Sequence, residues 1–268
     1  MNLYSPIARI VPAALLALLI AIGGCGLLPD QKDETGNWPV ERIYNTGREA
    51  MNEGNYLRAI KMFETLEARF PYGPYAQQAL LQLAYSNYKM GEMSSAVSAA
   101  DRFIKQYPNH VNVDYAYYVK GLSNFNEDFG FLTFLASQDL SERDPKTLKE
   151  SYLAFRDLVA KFPESRYAGD SSSRMKFLVN ALASGEVHVA RYYYNRGAFV
   201  AAASRAQSAM VTYPTAPIVE EALGIMMNSY EQLRLNDLRD DAKRVLEKNF
   251  PNSIYLAGGP RSAWWKFW

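Results

Sequence analysis

"VERIYNTGREAMNEGNYLRAIKMFETLEARFP", residues Val40–Pro71, carries the pattern that decides the fold. Small and aromatic residues stand at set distances before a closing proline, namely Gly47, Gly54, Tyr56, Ala59, Phe63 and Pro71. Ala59 lies where two helices cross closely, because only a small side chain permits the approach. Pro71 ends the second helix and pushes the residue before it out of the α region. The stretch therefore predicts a helical hairpin.

The aromatic–proline ending recurs four times along the chain, at Tyr107-Pro108, Phe162-Pro163, Tyr213-Pro214 and Phe250-Pro251. Successive prolines are 37, 55, 51 and 37 residues apart, which resembles the tetratricopeptide repeat with its period of ~34 residues. The second unit also keeps Ala84, Gly91, Ala96 and Phe103. Because one hairpin cannot bury its apolar face alone, we predict an all-α fold, a right-handed superhelix of about five tetratricopeptide-like helical hairpins.

Three of the five units depart from the standard repeat. The third contains extra residues at 126–144, after which Asp144 is the predicted N-cap of a helix that starts at Pro145. The fourth has a lengthened first helix, predicted from Ser171 to Asn195. In the fifth, Arg239 and Lys243 occupy the small and aromatic positions. The boundaries of this last unit are therefore the least regular in the chain.

The N-terminus has the composition of an export signal that ends at a single cysteine. An apolar run over residues 10–24 is shorter than a membrane-spanning helix and closes as "IGGC". This ending resembles the lipobox of bacterial lipoproteins, which implies that Cys25 is acylated, palmitate being one of the attached chains. The alternative is an ordinary secretory signal with a chance cysteine. Gly26 in place of Asp favours export to the outer membrane.

The predicted organisation has five parts. They are a lipoprotein signal peptide at 1–24, the lipidated N-terminus and a flexible tether at 25–39, repeats 1–3 at 40–165, repeats 4–5 at 166–255 and an aromatic tail at 256–268. The tail ends in "AWWKFW", a composition found at membrane–water boundaries. A tail without any role is the competing interpretation.

Composition and motifs argue against nucleic-acid binding, metal binding and catalysis by this chain. Lys and Arg number 29 against 28 Asp and Glu, so no strongly basic face is expected and nucleic acid is excluded as a partner. The only two histidines, His110 and His188, form no metal-ligand or nucleophile pattern. The serines of 169–174 are interpreted as a helix N-cap. We predict no enzyme, no catalytic residue, no metal and no cofactor.

Aromatic residues exceed the number that a helical core needs. They make up 13% of the chain, and the consecutive tyrosines 192–194 cannot all face one core. Tyrosine suits binding surfaces, since it combines a large apolar ring with a hydroxyl. The residues predicted to contact a bound segment are Phe70, Tyr72, Tyr75, Tyr115 and Tyr118. That Phe70 and Tyr75 only pack the first two repeats is the alternative.

Several stretches extend the resemblance to a particular family. "RFPYGPYAQQ", "DRFIKQYP", "DYAYYVKGL", "ERDP" and "YYYNRGAFVA", with the lipobox, together resemble the BamD family of the outer-membrane β-barrel assembly machinery. The resemblance implies a non-enzymatic lipoprotein, anchored in the outer membrane at its periplasmic face, that recognises unfolded outer-membrane proteins through its N-terminal repeats. The alternative function is a periplasmic repeat scaffold that coordinates envelope or peptidoglycan synthesis.

The same resemblance implies partners and their contact residues. The C-terminal repeats would bind the POTRA region of BamA, while BamC and other lipoproteins of the assembly complex are further partners. Arg205, after "RGAF", matches the arginine with which the family pairs an acidic residue of BamA, and Arg196 is a second candidate. From sequence alone, Arg205 is also typical of an arginine on a solvated helix face.

Overall fold

The computed structural model describes residues 35–125 and 145–258. Two units divide the chain, Met1–Pro39 and Val40–Trp268. Ten α-helices are described, all in the second unit. They are α1 Val40–Asn52, α2 Tyr56–Arg69, α3 Pro74–Met90, α4 Met93–Gln106, α5 Val113–Phe125, α6 Pro145–Lys161, α7 Ala168–Asn195, α8 Phe199–Thr212, α9 Val219–Gln232 and α10 Asn236–Asn249. A 3₁₀ turn, Ile254–Ala257, follows α10.

Consecutive helices pair into hairpins, and neighbouring hairpins stack mainly where a second helix packs on the next first helix. Each helix contacts the next one in sequence, and α1 also contacts α3, α3 contacts α5 and α7 contacts α9. The predicted all-α stack of five tetratricopeptide-like hairpins is confirmed. The signal peptide, Cys25, residues 25–34 of the tether, the 126–144 insertion with Asp144, and the tail from residue 259 lie outside the described residues.

The five aromatic–proline pairs end helices in one way. In each pair the aromatic residue donates its backbone N–H to the carbonyl four residues earlier, at 2.7–2.9 Å. Phe70, Tyr107, Tyr213 and Phe250 have φ between −129° and −136°, because the following proline excludes the helical conformation. The last helical bond is thus kept while the chain turns away. The repeated aromatic–proline pair of the sequence therefore corresponds to one repeated way of ending a helix.

Small residues in the first helices face aromatic rings. A methyl group added at Gly47 would lie 2.7 Å from the ring of Phe63, and one at Gly121 would lie 2.5 Å from the ring of Phe155. Gly224 has the same relation to Tyr255 of the 3₁₀ turn, at 2.4 Å. Since carbon atoms do not approach so closely without contact strain, these positions require glycine. The hairpins therefore cross at distances that side chains would prevent.

The two irregular C-terminal units of the sequence pattern, the fourth and the fifth, keep the helical hairpin. Helix α7 is continuous for 28 residues and begins at Ala168, three positions before the predicted Ser171. In α10 the buried positions belong to Ala242 and Leu246, whereas Arg239 is half-buried and Lys243 is exposed. The charged residues of the fifth repeat consequently lie outside its core.

In each hairpin whose turn is described, the turn contains one residue with a left-handed backbone. Gly54, Gly91 and Gly197 fill this position with φ of 74–80°, but the fifth hairpin has Arg234 with φ 58°. The next residue donates its N–H to the carbonyl five positions earlier, at 2.8–3.0 Å, in every one of these four turns. This is the Schellman hydrogen bond, which needs the left-handed residue before it. Arg234 therefore keeps the turn at a conformational cost.

We expect Arg234→Gly to stabilise the protein by about 1 kcal/mol, because glycine adopts the left-handed conformation without the clash of a Cβ atom. Thermal unfolding followed by circular dichroism should show a higher Tm. The matched control is Arg239→Gly, the same exchange inside α10, which should lower the Tm since glycine is unfavourable within a helix. A lower Tm for both variants would contradict the strain assigned to Arg234.

Candidate functional site

A groove of about 580 Å³ lies along the first helices of the first three hairpins. Its walls come from the end of α1, from α3, from the start of α5 and from the turn before α7. The lining residues are Met51, Leu81, Gln82, Tyr85, Val111, Asn112, Asp114, Tyr115, Arg166 and Tyr167. A volume of this size accommodates a few residues of an extended peptide.

Tyrosine rings form one continuous wall of the groove. The ring centroids of Tyr85 and Tyr115 are 6.4 Å apart, and those of Tyr115 and Tyr167 are 5.4 Å apart. Tyr118 stacks on Tyr167 at 4.6 Å and 21°, while Tyr56 meets the edge of Tyr85 at 6.2 Å. The rings therefore extend from the start of α2 to the start of α7.

Burial raises the pKa of two tyrosine hydroxyls in this wall. It raises the pKa of Tyr115 well above the ordinary tyrosine value, with the neighbouring Tyr85 and Tyr167 adding to the effect. Burial also raises the pKa of Tyr85, helped by Tyr56. A protonated phenol both donates and accepts hydrogen bonds. The wall therefore offers neutral hydrogen-bonding groups between apolar ring faces.

The charged groups of the groove are held by their neighbours. Asp114 accepts hydrogen bonds from the Ser165 hydroxyl at 2.6 Å and from the Tyr115 backbone N–H at 2.8 Å. Arg166 donates to the Tyr167 hydroxyl, and its guanidinium carbon lies 4.8 Å from the centre of that ring. The Asp114–Ser165 bond ties α5 to the turn that carries Arg166. One end of the groove is thus polar.

The five aromatic residues predicted from sequence fall into two groups. Tyr115 lines the groove, and Tyr118 supports it through the stack on Tyr167 while donating to Asp170 at 2.9 Å. The other three, Phe70, Tyr72 and Tyr75, lie at the turn between α2 and α3 and do not line the groove. Tyr72 is 88% exposed, Phe70 is 36% exposed and Tyr75 packs on Tyr44 at 5.3 Å.

Sequence reasoning missed Tyr85, Arg166 and Tyr167. The signal for Tyr85 was present, because Tyr85 and Tyr88 repeat the i, i+3 spacing of Tyr115 and Tyr118 on the next first helix. Tyrosines three residues apart share one helix face. No comparable signal marks Arg166 and Tyr167, which stand in an inter-repeat turn and reach the groove only through the stacking of hairpins.

Arg205 lies on a separate surface, in α8. Its guanidinium bonds Glu186 of α7 at 3.2 Å, and both side chains remain partly exposed. Ala202, Ala203 and Ala206, close to it in sequence, are buried within the hairpin, so they form no surface around the guanidinium. They face the core because small residues are what the close crossing of α7 and α8 requires.

Arg196 follows α7 as its C-cap, with its guanidinium carbon 5.2 Å from the centre of the Tyr192 ring. Tyr192 is 52% exposed, whereas Tyr193 and Tyr194 pack against the core of the C-terminal hairpins. One of the three consecutive tyrosines therefore faces outward, as their helical spacing predicts. Arg196 and this tyrosine form an exposed edge of the fourth hairpin.

Metal clusters and membrane-spanning helices are both absent from the described residues. No group of three or more His, Cys, Asp or Glu side chains within residues 35–125 and 145–258 is arranged to hold a metal ion. In those same ranges no helix has the length and apolarity needed to cross a bilayer.

Comparison with known proteins gives consistent matches along the chain. Residues 37–246 match the family YfiO, described as an outer membrane lipoprotein. Among relatives named outer membrane protein assembly factor BamD, one from Neisseria meningitidis is 45% identical over 94% of this chain and 97% of its own. Others come from Xylella fastidiosa, at 40% over 95% and 86%, and Vibrio cholerae, at 32% over 88% and 97%. The chain belongs to the YfiO/BamD family.

Proposed function

We propose that this protein acts in outer-membrane protein assembly as a non-catalytic scaffold, anchored by lipid at the periplasmic face of the outer membrane. Family membership and the printed names of the relatives support the process and the membrane. The tyrosine-walled groove is the observation that carries the scaffold role, since it offers a binding surface for an extended segment. The stack of hairpins holds that surface open by packing rather than by a ligand.

The anchor rests on Cys25, the single cysteine of the chain. A diacylglycerol and an amide-linked chain together supply more than one lipid signal, which makes attachment stable. Residues 26–39 are rich in polar residues, glycine and proline, a composition suited to a spacer between membrane and folded body.

We expect Cys25→Ser to abolish the incorporation of labelled palmitate and to move the protein from the membrane fraction to the soluble periplasmic fraction. Serine has no thiol to receive the diacylglycerol. Fractionation should be repeated with Arg205→Leu added, so that retention by a protein partner is separated from retention by lipid. Labelled palmitate on the Cys25→Ser variant would contradict the assignment of the anchor.

Client recognition is proposed to occur in the groove. Strands of outer-membrane barrels alternate apolar residues and commonly end in an aromatic residue. Ring faces of Tyr85, Tyr115 and Tyr167 suit such side chains, and protonated hydroxyls match unpaired backbone groups of an extended peptide. Phe70 and Tyr72, exposed at the turn between α2 and α3, are proposed as a second contact for a longer client.

We expect Tyr167→Ala to weaken binding of a barrel-derived C-terminal peptide about tenfold, because the ring that joins Tyr115 and Tyr118 is lost. Fluorescence anisotropy with labelled peptide measures the affinity. Tyr192→Ala is the matched control, an exposed tyrosine at the other end of α7. Tyr72→Ala tests the second contact separately. Equal affinity of the wild type and Tyr167→Ala would remove the groove from client binding.

The partner surface is proposed to be centred on Arg205, with Arg196 at its edge, and to bind the POTRA region of BamA; BamC is a further proposed partner. An arginine pairs with a carboxylate through two parallel hydrogen bonds. In the free protein the guanidinium donates one hydrogen bond to the carboxylate of Glu186, at 3.2 Å. A carboxylate from a partner must therefore compete with Glu186 for the same guanidinium.

We expect Arg205→Leu to weaken binding to the isolated POTRA region of BamA by tens of fold, because a partner carboxylate loses its counter-charge. Glu186→Gln should strengthen the binding by a few fold, since an exposed pair contributes at most ~1 kcal/mol. Isothermal titration calorimetry measures both. Arg244→Leu, on the exposed face of α10, is the control. Unchanged affinity in Arg205→Leu would show that the interface lies elsewhere.

A further inference from the structure

The tyrosine groove contains one cation among its described lining residues, Arg166. The same set of residues contains one carboxylate, that of Asp114, which already accepts hydrogen bonds from Ser165 and from the Tyr115 backbone. The acidic group is thus engaged in holding the turn in place. The basic group lies at the rim and is exposed to solvent.

The turn holds the guanidinium of Arg166 in a fixed orientation. Its carbon lies 4.8 Å from the centre of the Tyr167 ring, and one of its nitrogens donates to the hydroxyl of that same ring. Tyr167 is itself fixed by its stack on Tyr118 at 4.6 Å. An arginine that rests on an aromatic ring loses less freedom when it binds an anion. The site therefore presents an oriented cation beside apolar ring faces.

We propose that Arg166 binds the free C-terminal carboxylate of the client, so that the groove recognises the end of a chain rather than an internal segment. This inference rests on the proposed binding of clients in the groove. A carboxylate matches the fork of the guanidinium, and the adjacent wall of Tyr115, Tyr167 and Val111 takes the side chain of the last residue.

The groove is expected to bind an internal segment more weakly than a chain end. A peptide that continues past the groove has an uncharged amide where the carboxylate would stand, and it leaves Arg166 without an anionic ligand. The groove would then bind strands only through ring contacts and hydroxyls. Discrimination between chain ends and internal strands is therefore expected to depend on one side chain.

The test uses one barrel-derived peptide in two forms, with a free carboxylate and with a C-terminal amide, titrated by anisotropy into wild type, Arg166→Gln and Arg166→Lys. We expect the wild type to bind the free acid about tenfold tighter than the amide, a difference worth ~1.4 kcal/mol. Arg166→Gln should bind both forms with the affinity that the wild type shows for the amide. Arg166→Lys should keep part of the preference, because it retains the charge without the fork.

Arg156→Gln is the matched control, an exposed arginine in α6 that does not line the groove. It should leave the preference unchanged, and raising the salt concentration should reduce the preference in the wild type, since the site is exposed. Equal binding of acid and amide by the wild type would overturn the role of Arg166 while leaving client binding intact. Failure of both forms to bind the wild type would overturn client binding itself.

Discussion

The structure depends on the steric restriction that proline imposes on the residue before it. Each second helix ends at an aromatic residue whose N–H still closes the last helical hydrogen bond. In four of the five, a φ near −130° turns the chain toward the next hairpin. In four of these endings the N–H three residues later donates a hydrogen bond to the carbonyl of the aromatic residue. The first does not, because Gly73, with φ 100°, and Pro74 start α3 at once. This exception is the turn that exposes Tyr72.

Helix α7 joins the two surfaces assigned to clients and to the partner. Its first half packs with α5 and α6 through Leu178 and Ala181, and its second half packs with α8 and α9 through Val187 and Ala190. Tyr167 of the groove immediately precedes it, while Glu186, which holds Arg205, lies five turns further on. Because α7 is one uninterrupted helix, the turn that carries Tyr167 and the Glu186 side chain that pairs with Arg205 lie on the same element, although the two surfaces belong to different hairpins.

The sequence was sufficient for the fold because its information is local. Glycine, alanine and proline at fixed spacing decide where the chain turns, where two helices cross and where a helix ends, all within about forty residues. The start of α7, for example, was predicted to within three residues. The groove is different, since Met51, Tyr85, Tyr115 and Tyr167 come from four distant segments. Periodicity shows which face of its helix a residue occupies. It does not show which residue of a neighbouring hairpin it will contact. The pairing of Arg205 with Glu186 was missed for the same reason.

The groove is lined by tyrosine rather than phenylalanine, and this difference affects which clients the proposed site would bind. A phenylalanine wall would bind apolar side chains but would leave the backbone of an extended segment without partners, at a cost of about 1–3 kcal/mol for each unpaired group. The neutral hydroxyls of Tyr85 and Tyr115, whose pKa values burial raises further, would provide partners that do not depend on the side chains of the client. Hydrogen bonding to backbone is common to all strands, whereas ring contacts accept any apolar residue. The wall is thus permissive, and selectivity must come from the charged rim, where Arg166 is the cation.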